Sequence, residues 1–173
     1  MTTMSGDFSR DLEVRRYPLL VYGLAPLTAL VLQAWLPRLM VGYTWFDLPL
    51  VIVVYFSLVH RIPIQGTVMG AGMGLFEDAL TGHAIGVNGI AKTVVGFLAS
   101  SLGVRIDVEN LTIRLGLTFL FSLLSSGIFV FVYRGLLGMS SDWNWMNEAF
   151  KAIGNTLIAL VLFPALDRLQ IRE

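Results

Sequence analysis

The sequence has no cysteine and only two histidines, His60 and His83. The first absence excludes a disulfide framework and any thiolate metal site. The second leaves two imidazoles, too few and too separated for a metal centre built on histidine. Charge is scarce as well. Asp, Glu, Lys and Arg make up 14% of the 173 residues, where a water-soluble domain carries about a quarter. Lys plus Arg and Asp plus Glu stand at 12 each, so no excess of one sign points to nucleic acid as a partner. The patterns GxSxG and HExxH, phosphate-binding glycine loops and paired histidines are all missing, which removes the commonest catalytic constellations. An intramembrane aspartyl protease needs two aspartates facing each other, whereas Asp47 falls at a helix end. No cofactor is implied. A cleaved signal peptide is not expected, because the first apolar segment is long and lacks a small-x-small site at its end.

What is abundant is apolar side chain. Hydrophobic residues make up 55% of the chain and the mean hydropathy is +0.73. The remaining polar surface is too small to cover a soluble globule, so the sequence reads as an integral membrane protein in contact with the lipid bilayer. The apolar runs predict six helices, at about 17–36, 47–60, 64–80, 86–103, 111–137 and 148–166. The first is long enough to cross a hydrocarbon core of about 30 Å, and Pro26 inside it predicts a kink. Asp47 is placed to cap the second helix, with Pro49 in its first turn. Tyr43, Trp45, Trp143 and Trp145 stand where interfacial aromatics sit.

Orientation follows from the basic residues. With the N-terminus cytoplasmic, the inside segments hold Arg10, Arg15, Arg16, Arg61, Arg105, Arg114, Arg168 and Arg172, against Arg38, Arg134 and Lys151 outside. That bias is what the positive-inside rule requires. The expected fold is therefore an all-α polytopic membrane protein: a six-helix transmembrane bundle in one domain, residues 17–167. Cytoplasmic tails flank it at 1–16 and 168–173.

Residues 65–103 stand apart. Gly66, Gly70, Gly74 and Asp78 recur every four residues, on one helix face. Gly89, Lys92, Thr93, Gly96, Ala99, Ser100 and Gly103 recur at mixed three- and four-residue spacing on the next helix. Small residues let membrane helices approach closely, either within this bundle or against a partner's helix. Rise along each helix puts Asp78 and Lys92 at one depth, about 9 Å below the outer face, and predicts a salt bridge between them. An unpaired charge at the centre of the membrane costs about 2.5–3.5 kcal/mol on insertion scales. The pair serves either as a clamp orienting the two helices or as part of a polar pocket. Glu77 is expected on a different face, lining a cavity or reaching for the interface, and Asn88 is expected to hydrogen-bond into the same site. Ala25 and Ala29 form a second small patch for helix packing.

The run Gly70-Ala-Gly-Met-Gly74-Leu-Phe-Glu-Asp78, followed by Thr81-Gly82 and Ile85-Gly86-Val87-Asn88-Gly89, resembles the signature of the rod shape-determining MreD family. In that family a glycine-rich helix ends in G-L-x-x-D before a short loop and a further glycine-containing helix. The resemblance implies a non-enzymatic scaffold subunit of the bacterial cell-elongation machinery, in the cytoplasmic membrane of rod-shaped bacteria. It implies binding to the bitopic protein MreC and, through it, association with the cytoskeletal protein MreB, a RodA-type polymerase and a class B penicillin-binding protein. The family is also similar to the substrate-binding S components of energy-coupling-factor vitamin transporters, which meet their membrane partner through an A-x-x-x-A patch on helix one. Ala25 and Ala29 fit that patch, so a solute-binding subunit stands as the alternative. The short connection between helices three and four favours the scaffold.

Overall fold

The computed structural model describes residues 19–39, 46–82, 84–139 and 143–169. Tyr43, Trp45, His83 and the tail arginines Arg10, Arg15, Arg16 and Arg172 lie outside them. The described residues form six helices: α1 (Leu19–Leu39), α2 (Leu48–His60), α3 (Pro63–Thr81), α4 (Val87–Gly103), α5 (Leu111–Val130) and α6 (Trp145–Asp167). Alpha-helical bonding in α5 gives way to π-helical turns at Phe131–Leu136. There is no strand among the described residues. Two stretches, Leu111–Leu136 and Trp145–Asp167, are long and apolar enough to cross a membrane.

Sequence punctuation sets the helix ends. The Asp47 carboxylate accepts the Leu50 N–H at 2.9 Å to start α2, with proline in the first turn. Arg61, the one described non-glycine residue with positive φ (56°), stops that helix in the left-handed conformation. Two residues on, Pro63 opens α3. Asn110 and Asn144 cap α5 and α6 by accepting N–H bonds at 2.9 Å, each satisfying one of the backbone donors a helix start leaves over.

α2 is the hub. Its sequence, LPLVIVVYFSLVH, is apolar all round, and residues 49–59 are buried without a break. A helix with no polar face has to be surrounded, and α2 is contacted by every other helix. At 13 residues, about 20 Å, it is the shortest of the six helices. Its N-terminus lies inside the bundle, with Asp47 only 3% exposed.

α3 and α4 form an antiparallel hairpin in which backbone meets backbone. A methyl group on Gly70 would collide with the Lys92 carbonyl, and one on Gly74 would lie 2.6 Å from the Gly89 Cα. Likewise Gly66 and Gly96 face each other's main chains. The glycine faces are thus used inside this protein's own bundle. Their register puts Gly70 opposite Lys92 and Gly74 opposite Asn88.

Candidate functional site

Lys92 is the centre of the site. Its side chain is wholly buried, and Nζ lies 2.9 Å from Asp47 Oδ2 and 2.6 Å from Glu77 Oε2. The salt bridge expected between Asp78 and Lys92 is not formed, and the register explains why. Asp78 lies one turn beyond Gly74, level with the start of α4, whereas Lys92 lies two turns down the hairpin. Cα–Cβ bonds tilt toward a helix's own N-terminus. Lys92 therefore leans toward the turn and Glu77 leans away from it, and the two meet between. Glu77 is only 6% exposed, with its carboxylate on Lys92; it is half of the counter-charge.

Asp47 is the other half, and it does three jobs. One carboxylate oxygen caps α2 while the other takes Lys92. Its backbone N–H donates to Asn155 Oδ1 on α6 at 2.7 Å, and Asn155 Nδ2 donates to Ser122 Oγ on α5 at 3.0 Å. From α1, Gln33 Nε2 donates to the Phe46 carbonyl at 3.0 Å, and Gln33 Oε1 accepts the Leu48 N–H at 3.1 Å. All six helices are thereby tied to one buried polar network. Asn155 lies about 15 Å from the Trp145 end of α6 and about 18 Å from the Asp167 end. The network therefore meets α6 near the middle of its length.

Asp78 has a different task. α4 starts at Gly86, φ 101°, with no side chain to cap it. Asp78, fully buried, fills the gap from the end of α3: Oδ2 accepts the N–H groups of Gly86 (2.8 Å), Asn88 (3.1 Å) and Gly89 (3.4 Å), and Oδ1 accepts Asn88 Nδ2 (2.8 Å). A carboxylate at a helix N-terminus satisfies stranded donors and complements the dipole. Asn88 does bond into this cap, though not toward Lys92. Within the turn, Gly82 in the left-handed conformation (φ 73°) returns its N–H to the Asp78 carbonyl at 3.0 Å.

A second cluster escaped the sequence reading, which counted Arg114 only among the basic residues of the inside segments. It is 2% exposed, on the first turn of α5. Nη1 donates to Asp167 Oδ2 at 2.7 Å, and the Tyr55 hydroxyl donates to Asp167 Oδ1 at 2.7 Å. The guanidinium stands 5.0 Å from the Tyr55 ring centroid and 4.7 Å from that of Phe163. An arginine one turn into an apolar run, with an aspartate closing the antiparallel run, is the signal that could have found it. Nearby Tyr22 hydrogen-bonds His60, joining α1 to α2. Of the alanine patch, Ala29 is buried in the core and Ala25 is half-buried against it.

Fold and site define a class: an all-helical membrane protein whose buried charges are spent on one another and on a helix cap. Residues 15–170 match the family model for rod shape-determining protein MreD, and the chain belongs to that family. No curated protein and no solved structure matches it.

Proposed function

We propose that the protein is a non-enzymatic scaffold subunit of the cell-elongation machinery. In this reading it is a six-span protein of the bacterial cytoplasmic membrane, one transmembrane domain with both termini cytoplasmic. Its bundle binds an MreC-like bitopic membrane protein and, through it, joins the peptidoglycan polymerase, the class B penicillin-binding protein and the MreB cytoskeleton. One observation carries the proposal. Asp47, Glu77, Asp78 and Lys92, the groups best suited to hold a solute, are all bonded to protein at 0–6% exposure. What the bundle offers to others is its outer surface. Burial of Ala29 inside the core weighs against the solute-binding alternative, because that residue is not open to a partner helix.

The test is affinity purification from a rod-shaped host in mild detergent. A bitopic MreC-like protein is expected at one-to-one stoichiometry. Recovery of an ATPase pair with a bound vitamin, and no bitopic partner, would overturn the proposal.

A further inference from the structure

Along α6 runs an apolar groove of about 430 Å³ that the scaffold reading does not use. Gly154, Leu157, Val161 and Ala165 line it at three- and four-residue spacing, and Phe46 closes one end. From Gly154 to Ala165 the groove extends about 16 Å, close to half of a hydrocarbon core of about 30 Å. The Phe46 end is fixed at mid-depth, because the Phe46 carbonyl is held by Gln33 and the next N–H by Asn155. The groove therefore spans one leaflet, from the bundle's middle to the end where α6 finishes. A second helix would displace on the order of 1,500 Å³ over that length, about twice the whole empty space of about 740 Å³ there. An extended hydrocarbon chain fits.

Charge identifies the rest of the molecule. Arg168 follows Ala165 by three residues, hence on the same side of the helix, and is exposed at the groove's open end. Its neighbour Asp167 turns inward onto Arg114 and Tyr55, so the carboxylate is engaged away from the cation. We infer that this groove is a lipid site: it holds one acyl chain of an anionic glycerophospholipid whose phosphate pairs with Arg168.

Native mass spectrometry of the full chain in mild detergent tests this, with phosphatidylglycerol and phosphatidylcholine of identical acyl chains as probes. One phosphatidylglycerol per chain is expected to be retained, about five-fold more tightly than phosphatidylcholine, the worth of one cation near an anionic headgroup. Arg168→Gln should abolish that preference and leave the weaker, chain-driven binding in place. Gly154→Leu, which fills the groove, should remove retention of both lipids. Ala165→Leu, at the exposed end, serves the same purpose if the glycine variant does not fold. Equal retention of the two lipids by the unsubstituted chain, or unchanged retention in the groove-filling variants, would overturn the inference. So would a lipid-free dimer that the same variants dissociate. Lipid retention is read without any partner protein, so it stands or falls separately from the scaffold proposal.

Discussion

Replacing Lys92 by methionine tests the centre of the bundle. The substitution keeps the length of the side chain and removes its charge, so Asp47 and Glu77, both buried, would face each other with no cation between them. Breaking a buried ion pair from one side costs about 3–5 kcal/mol, chiefly because the remaining charge is left uncompensated. In a protein of this size each kcal/mol shifts the melting temperature by about 2–4 °C, so Lys92→Met should melt roughly 6–20 °C lower. The assay is thermal unfolding in detergent, followed by loss of the monodisperse peak in size-exclusion chromatography. Neutralising all three groups, Lys92→Met with Glu77→Gln and Asp47→Asn, should recover most of the loss, because a buried ionic cluster adds little net stability over neutral groups of the same shape. The charge swap Asp78→Lys with Lys92→Asp should rescue nothing, since those residues are not partners. A melting temperature for Lys92→Met within about 2 °C of the parent would refute the reasoning, as would rescue by the Asp78 swap.

The same unfolding assay reaches the other contacts. Gly70→Ala places a methyl group against the Lys92 carbonyl and should cost about 1–3 kcal/mol by overpacking; Gly72→Ala, with nothing within 4 Å, should be neutral or slightly stabilising. Asp78→Ala strands the donors that start α4 and should cost about 1–3 kcal/mol, whereas Asp78→Asn, which keeps an acceptor oxygen, should cost less. Equal losses for the two would show that the cap is not what Asp78 provides. Arg114→Lys should behave as a loss, because an ammonium cannot reproduce a guanidinium held between two rings and a carboxylate; a lysine variant as stable as the parent would show that point charge suffices there.

Much of the fold was legible before any tertiary contact. Scarce charge and long apolar runs imply a membrane protein, and capping residues and prolines mark six helices because those signals are local. Gly66, Gly70 and Gly74 announced a close approach, since a face without side chains can bury only backbone. The site was harder. Glu77 and Asp78 are adjacent, so their side chains leave α3 about 100° apart, and a count of depth along each helix cannot choose between them. The choice rests on the register of α3 against α4, which is fixed by the collisions the glycines avoid.

The sequence by itself determined that Lys92 needs a carboxylate, because an ammonium inside a membrane bundle cannot stand alone. It also determined that Asp47 would cap α2. Tertiary structure alone decided that these two facts are one. The capped end of α2 is buried beside the middle of α6, where the Asp47 N–H meets Asn155. There Asp47, 45 residues away in the chain, joins Glu77 around Lys92, while Asn155, Ser122 and Gln33 bind the remaining helices to the same point. Arg114 and Asp167 likewise meet because α5 and α6 run antiparallel beside Tyr55 and Phe163. Local chemistry states which groups must be satisfied; only the packing of whole helices, through their lengths and register, determines which residue satisfies them.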